Sequence, residues 1–98
     1  MGGGQELSPR LMRISFHKNF KKRYKKLRKE EQGRCDWRMG LFVQNPFHSL
    51  LNNHALSGKY SGYRSINIGG DLRAIYEPIS SDVAFFIILG THPELYSS

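Results

Sequence analysis

The stretch YSGYRSINIGGDLRAIYEPISSDVAFFIIL, residues 60–89, contains three runs rich in β-branched and aromatic residues. The runs cover residues 60–68, 72–79 and 83–89 and are separated by Gly69-Gly70-Asp71 and Ser80-Ser81-Asp82. Apolar runs bounded by glycine, serine and aspartate are typical of strands joined by tight turns. The stretch therefore predicts a three-stranded antiparallel meander, whose continuously apolar third run indicates a central strand buried on both faces.

The segment that precedes the meander has a helical period. Phe20, Tyr24 and Leu27 recur at spacings of four and three within a lysine-rich sequence, which is the pattern of an amphipathic helix. Gly33 predicts the C-terminal end of this helix, because glycine readily takes the left-handed conformation in which helices end.

A second helix is predicted over residues 36–44, and Pro46 ends it because the residue before a proline is pushed out of helical geometry. Residues 45–58 are the predicted connecting loop, and residues 11–16 are a predicted short first strand. The order strand, helix, helix, strand, strand, strand predicts an α+β fold. In it, an N-terminal strand and an antiparallel helical hairpin pack on a C-terminal antiparallel sheet.

Length and composition indicate one domain over residues 10–98, preceded by a flexible leader or tag at residues 1–9 that contains three glycines. An apolar fraction of 39% is enough for a folded core and excludes a disordered composition. No apolar run approaches the roughly 20 residues of a membrane span. A single cysteine, Cys35, and the lack of a Cys/His cluster with zinc spacing predict a cytoplasmic protein without a disulfide, metal or cofactor.

The positive charge is concentrated in one segment. Twelve of the fifteen lysines and arginines lie between Arg10 and Arg38, which also contains three acids and so carries a net charge of +9. Such a segment is typical of proteins that bind phosphate-rich or carboxylate-rich partners. The alternative is a solvated helix face that only keeps the protein in solution, although the scarcity of acidic counter-charges weighs against it.

The turn between the first two runs predicts which side chains share a face. If Gly69 and Gly70 are its two central residues, the opposed pairs are Asn67 with Leu72, Ile66 with Arg73, and Arg64 with Ile75. Because side chains alternate across a strand, Arg64 and Arg73 then lie on one face. Two arginines there indicate a phosphate-binding surface, or two solvent-exposed cations on an uncovered sheet.

Four motifs occur in a fixed order along the chain. They are His54-x-Leu-x-Gly, Gly62-Tyr-Arg, Asp71-x-x-x-x-Tyr and Gly90-Thr-His-x-x-Leu. This framework resembles the RelE superfamily of toxin–antitoxin toxins, and its spacing is similar to the YafQ branch over residues 12–96. The resemblance implies a helical hairpin on an antiparallel sheet, cleavage of mRNA at the ribosome without a metal, and silencing by a cognate antitoxin. The basic segment predicts that this antitoxin is acidic.

The resemblance also implies roles for individual residues. His54, Asp71 and His92 occupy positions of catalytic residues in the YafQ branch, and Tyr96 occupies the position of an aromatic near the scissile bond. Arg73 matches a phosphate-binding arginine of the RelE branch.

Other positions depart from the family. Arg64 lies where the RelE branch has a lysine, and Asn67 replaces a catalytic histidine of the YafQ branch, so we expect both to bind substrate. Leu72, Ile66 and Ile88 replace a tryptophan, a lysine and an arginine of the related toxins.

Metal-free RNA cleavage requires three kinds of group. One takes the proton of the attacking 2′-hydroxyl, one protonates the departing 5′-oxygen, and positive donors stabilise the phosphorane. Histidine suits both proton transfers, so His54 is the candidate base and His92 the candidate acid, with the reverse assignment left open. Arg73 and Arg64 would hold the phosphate, Asp71 would orient a neighbour and Tyr96 would stack on a base.

Two other functions remain open at this point. A ParE-like member of the same superfamily would inhibit DNA gyrase by protein contact and would not need acid–base groups. A basic RNA-binding protein without activity would carry exposed aromatic residues among basic ones on its strands. Each histidine and Tyr96 could also be purely structural.

Overall fold

The computed structural model describes residues 11–96; the expected leader, residues 1–9, lies outside the described residues. The described strands are β1 (Arg13–Phe16), β2 (His54–Ala55), β3 (Arg64–Gly69), β4 (Leu72–Ser80) and β5 (Val83–Thr91), and the described α-helices are α1 (Lys18–Lys25), α2 (Lys29–Gln44) and α3 (His92–Tyr96). The strands form one sheet in the order β1-β5-β4-β3-β2. Strand β1 is parallel to β5, and the other neighbours are antiparallel. The α+β class and the helical hairpin on a sheet are confirmed, and the sheet is mixed.

The first two helices separate at residues 26–28 and not at Gly33, so the expected helix bounds are wrong. Arg28 is extended (φ −68°, ψ 159°), and its backbone N–H donates to Glu31 Oε1 at 3.0 Å, which caps the start of α2. Leu27 turns inward at the break and joins the core. Capping and the burial of Leu27 together outweigh the about 1 kcal/mol that Gly33 costs inside α2.

Helix α2 ends at Gln44, before Pro46, as predicted. The expected loop, residues 45–58, contains one 3-10 helix, Ser49–Leu51, and a second one, Gly58–Tyr60, begins at its last residue. The first strand of the meander therefore begins at Arg64 and not at residue 60. Between the two 3-10 helices, β2 pairs with β3 and forms an edge of the sheet. This short strand was not predicted, because two residues are too few to show a period.

Phe86 of β5 lies at the centre of the core between the sheet and the two long helices. Its side chain is fully buried, and its ring lies 5.1 Å from the rings of Phe42 and Tyr76 and 5.8–5.9 Å from those of Phe16 and Phe20. Aromatic side chains of this kind bury the largest apolar areas and supply most of the driving force for folding.

The β3–β4 hairpin turns one residue later than predicted. Gly69 pairs with Leu72, so Gly70 and Asp71 are the central residues, and Gly70 has the positive φ (54°) that such a turn requires. A bulge between Asn67 and Gly69 takes up the extra residue. The predicted Gly69-Gly70 turn is therefore wrong.

This register separates the two arginines, so the predicted shared face of Arg64 and Arg73 is wrong as well. Arg64 pairs with Tyr76, while Arg73 pairs with Asn67 on the opposite face. The reason is burial: the observed pairing brings Ile66, Ile68, Leu72 and Ala74 to the helix-covered face, where they join the core. We call the other side, on which Ser65, Asn67 and Arg73 lie, the cleft face.

Strand β5 is interior in the sheet, as predicted, but it is not buried on both faces. Ala84 and Phe86 are fully buried under the helices, whereas Phe85 and Ile88 are only partly buried on the cleft face. Helix α3 covers part of this face at the end of β5, where a Cβ on Gly90 would lie 3.1 Å from Leu95 Cδ2. The two long helices cover one face only, so a continuously apolar run does not imply two covered faces.

Candidate active site

A cleft of about 510 Å³ opens on the cleft face, where β2, β3, β4 and α3 meet. Its lining residues are Asn52, His54, Ala55, Leu56, Ser57, Ser65, Arg73, His92 and Tyr96. Four of the predicted site residues, from three separate parts of the sequence, therefore share one concavity. The other three, Arg64, Asn67 and Asp71, do not line it.

His54 reaches the cleft from the edge strand β2, where it pairs with Ser65. Its Nδ1 lies 2.8 Å from the backbone carbonyl of Asn52, a residue in the left-handed conformation (φ 46°). A carbonyl can only accept, so Nδ1 carries the proton and donates. The neutral ring then has its lone pair on Nε2, which makes no hydrogen bond to another residue among 11–96 and is free to accept a proton.

His92 is the first residue of α3. Its backbone N–H donates to the carbonyl of Asp71 at 2.8 Å, which ties the start of the helix to the β3–β4 turn. Its ring packs on that of Tyr96, one turn later, at 4.6 Å between centroids. Within the described chain its ring nitrogens have no hydrogen-bond partner, so the imidazole is positioned by its neighbours and remains available to a ligand.

The orientation of α3 depends on Glu94. Its Oε1 accepts from the Thr91 backbone N–H at 2.7 Å and from Arg23 of α1 at 2.9 Å, while Thr91 Oγ1 accepts from the Glu94 N–H. The Thr91 N–H and then Arg23 lower the pKa of Glu94 to about 2. Helix α3 was not predicted, although Thr91-x-x-Glu94 is the pattern of a capping box and could have indicated it.

Tyr96 lines the cleft and is 37% exposed. Its ring also meets that of Tyr60 edge-on at 5.9 Å, and the Tyr60 hydroxyl donates to the Leu95 carbonyl at 3.2 Å. Tyr60 therefore holds the end of α3, a role that sequence reasoning had not assigned.

Arg73 projects from the start of β4. Its Nη1 donates to the carbonyls of Gly70 at 2.8 Å and Leu72 at 3.2 Å, which fixes the guanidinium beside the turn. Of its five N–H donors, those on Nε and Nη2 make no bond within residues 11–96. The side chain can therefore be held by the protein and still present a planar pair of donors to the cleft.

Two predicted residues take part in other contacts. Arg64 donates from Nε to Asn53 Oδ1 at 2.7 Å, and its guanidinium lies 5.3 Å from the centre of the Phe47 ring. Asn53 also donates to the Tyr76 hydroxyl, so Arg64 belongs to a network at the edge of the helix-covered side. Asp71 contributes its carbonyl to His92, while its exposed carboxylate lies outside the cleft wall.

Asn67 lies on the cleft face beside Arg73. Its backbone carbonyl accepts from Arg38 at 3.2 Å, and its Oδ1 is buried without a hydrogen-bond partner in the described chain.

The other two histidines, His17 and His48, cap helices. Nδ1 of His17 accepts from the Asn19 N–H at 3.0 Å, and Nδ1 of His48 accepts from the Leu50 N–H at 3.1 Å. Their Nδ1 atoms must be unprotonated, which is the opposite of His54. The structure thus divides the four histidines into two structural caps and two that line the cleft.

The model of a family described as bacterial toxin of type II toxin-antitoxin system, YafQ, matches residues 12–97. The chain belongs to the YafQ family. It is therefore a type II toxin, as the motif framework predicted. No curated protein sequence matches this toxin.

Solved structures show the same fold. YafQ from E. coli strain BL21(DE3) has a TM-score of 0.73 at 23% identity, over 88% of this toxin and 99% of that chain. The E. coli DinJ–YafQ toxin–antitoxin complex gives 0.71 at 23% identity, over 89% and 99%. The archaeal RelE–RelB complex from Pyrococcus horikoshii OT3 gives 0.67 at 21% identity, over 83% and 94%.

Two classes of feature are not found in the part of the toxin that the structure describes. Residues 11–96 contain no group of three or more His, Cys, Asp or Glu side chains placed to hold a metal ion. None of their helices is long and apolar enough to cross a membrane.

Proposed function

We propose that this YafQ-family toxin is a metal-independent endoribonuclease that cleaves mRNA on the ribosome in the cytoplasm. The observation that carries the proposal is the single cleft that His54, His92 and Arg73 line together. Two histidines and an arginine can supply the three groups that the reaction needs: a base, an acid and a permanent positive charge.

His54 acts as the base in this proposal. Its free Nε2 takes the proton of a ribose 2′-hydroxyl, and the oxygen attacks the adjacent phosphorus. His92 protonates the departing 5′-oxygen as the P–O5′ bond breaks, leaving a 2′,3′-cyclic phosphate and a 5′-hydroxyl. The bond from His54 Nδ1 to the Asn52 carbonyl supports this order over the reverse, because it leaves the lone pair on Nε2.

Arg73 and Tyr96 bind the substrate around this pair. The free donors of Arg73 stabilise the charge that develops on the phosphorane oxygens. Tyr96, packed on His92 and partly exposed, offers a face for a base to stack on. We assign Asp71 a positioning role through its carbonyl bond to His92, and Asn67, beside Arg73, remains a proposed substrate contact.

The proposed partner is a cognate, acidic antitoxin. Its support is the E. coli DinJ–YafQ toxin–antitoxin complex, in which a protein of the same fold is held by its antitoxin, and the charge of this toxin. The exposed cations on α1 and at the start of α2 include Lys18, Lys21, Lys22, Lys25 and Lys29. They form a positive outer surface on the helices that a carboxylate-rich chain would complement.

The test is to add the purified toxin to a cell-free translation mixture and map the new 5′ ends of the mRNA. We expect ends within codons for the wild type and at least about a hundredfold fewer for His92→Ala. A ParE-like activity, the main alternative, predicts inhibition of gyrase supercoiling with intact mRNA. A toxin that bound RNA but neither cleaved it nor inhibited gyrase would support the passive RNA-binding alternative.

A further inference from the structure

Ser65 is a buried polar residue in the wall of the cleft to which the mechanism above assigns nothing. It is 1% exposed, and its Oγ has no hydrogen-bond partner in the described structure. Its side chain lines the cleft together with His54, Arg73 and His92. Buried hydroxyl groups are almost always hydrogen-bonded, so an unpartnered one facing a ligand-sized cleft indicates a group that is satisfied only when the cleft is filled.

The sheet places Ser65 between the two halves of the proposed chemistry. On one side it pairs with His54 of β2, and directly opposed side chains lie about 5 Å apart. On the other side it pairs with Ile75 of β4, so Arg73 is its diagonal neighbour, at about 7–8 Å. A group that contacts both the base and the arginine must therefore pass over Ser65.

That group is the reacting part of the nucleotide. The 2′-hydroxyl that His54 deprotonates and the phosphate that Arg73 binds are joined through the same ribose. Phosphate oxygens only accept hydrogen bonds, and a serine hydroxyl can donate. Resting on the proposed function, we propose that Ser65 Oγ donates a hydrogen bond to a non-bridging oxygen of the scissile phosphate. A nucleobase is the less suitable occupant, because Tyr96, another residue of the lining, provides a stacking surface for it.

An unpartnered hydroxyl has opposite effects in the free and the bound toxin. In the free protein it is desolvated without compensation, which destabilises the fold. In the complex it makes a hydrogen bond to a charged group, which is stronger than a neutral one. Removing the hydroxyl should therefore weaken catalysis without lowering stability, a combination that a purely structural serine cannot produce.

The experiment compares Ser65→Ala with Ser15→Ala. Ser15 lies on the same sheet face in β1, but it is exposed and outside the cleft. We expect Ser65→Ala to cleave RNA ten- to a hundredfold more slowly, as for loss of a hydrogen bond to a charged group. Its melting temperature should be unchanged or higher. Ser15→Ala should cleave at the wild-type rate.

A phosphorothioate RNA identifies the atom that Ser65 contacts. Sulfur accepts hydrogen bonds poorly, so replacing the relevant non-bridging oxygen should slow the wild type by more than it slows Ser65→Ala. An equal effect of sulfur on both proteins would contradict the phosphate contact. If Ser65→Ala cleaves at the wild-type rate, the hydroxyl has no such role. If it loses activity and also melts at a lower temperature, the role of the hydroxyl is structural.

Failure of the proposed function gives a different result. If the wild type cleaves no RNA, the endoribonuclease proposal is wrong, and binding of a fluorescent single-stranded RNA then decides the role of Ser65. Weaker binding by Ser65→Ala than by Ser15→Ala would still support the phosphate contact, and equal binding would overturn it.

Discussion

Alternate residues of β3 face two different environments. On the helix-covered face, Ile66 and Ile68 are fully buried in the apolar core. On the cleft face, Ser65 and Asn67 carry buried polar atoms that have no partner in the described chain. Side chains alternate between the two faces of a strand. Residues that stabilise the fold are therefore next in sequence to polar residues whose hydrogen-bonding atoms are not all satisfied within the described chain. Substitutions on the first face should change stability, and those on the second should change activity.

The largest effect is expected in the core. Phe86→Ala removes a fully buried ring that contacts four other aromatic rings, and should lower the free energy of unfolding by about 3–5 kcal/mol. The neighbouring Phe85→Ala, on the partly covered cleft face, is the matched control and should have a clearly smaller effect. Urea unfolding of both variants measures the difference. Equal losses would show that the two faces are packed alike.

His92→Ala should reduce mRNA cleavage by a factor of about 10² to 10⁴, the usual effect of removing a general acid or base. Because only its ring is lost from the cleft, the melting temperature and antitoxin binding should stay near those of the wild type. We expect His92→Gln to be inactive too, since an amide cannot exchange the proton. His17→Asn, which keeps a good helix cap, is the control and should retain activity. Undiminished cleavage by His92→Ala would rule out the acid–base scheme.

The two arginines should behave differently, because the register separates them. Arg73→Ala should slow cleavage about a hundredfold, equivalent to roughly 3 kcal/mol of transition-state stabilisation, while leaving the fold largely intact. Arg64→Ala breaks the contacts with Asn53 and Phe47 and should instead lower the free energy of unfolding by about 1–2 kcal/mol. Single-turnover cleavage and urea unfolding measure the two effects. If Arg73→Ala unfolds the protein, the role of Arg73 is structural and not catalytic.

The basic outer surface of the helices should control the rate of association with the antitoxin. Charge steering of this kind raises association rates by tenfold or more and weakens as salt shortens the screening length to about 8 Å. The double variant Lys22→Glu/Lys25→Glu should therefore associate about tenfold more slowly at low salt. Lys59→Glu, outside the basic segment, is the control. A wild-type association rate that does not change with salt would exclude this role.

The smallest effect concerns Glu94, whose pKa is lowered from 4.5 to about 2 by the Thr91 N–H and Arg23. A lowered pKa means that the ionised carboxylate stabilises the folded state at pH values above the pKa of the unfolded chain. This stabilisation is lost as the pH falls through the pKa of the folded state. Because the pair is exposed, we expect less than about 1 kcal/mol. The melting temperature should fall between pH 4.5 and about 2 more steeply for the wild type than for Glu94→Gln. Identical pH profiles would show that the Glu94 carboxylate does not hold α3.

Most of the candidate site followed from the sequence, and part of the fold did not. His54, Arg73, His92 and Tyr96 could be selected because motif order and residue chemistry are properties of the chain itself, and the structure brings them to one cleft. Ser65 could not be selected, because serine is common and only its burial in the cleft wall without a hydrogen-bond partner in the described chain distinguishes this one. Helix α3 had a readable capping pattern but is too short to show a helical period.

The sequence by itself determined the α+β class, the three strands of the meander, the end of α2 before Pro46 and the family. Each of these depends on local periods, turn residues or motif spacing. The tertiary structure alone decided the break between α1 and α2 at Leu27, the one-residue shift of the β3–β4 turn and the separation of Arg64 from Arg73. Those features depend on which apolar side chains pack against the helices. This packing joins parts of the chain that are distant in sequence, so local sequence patterns do not show it.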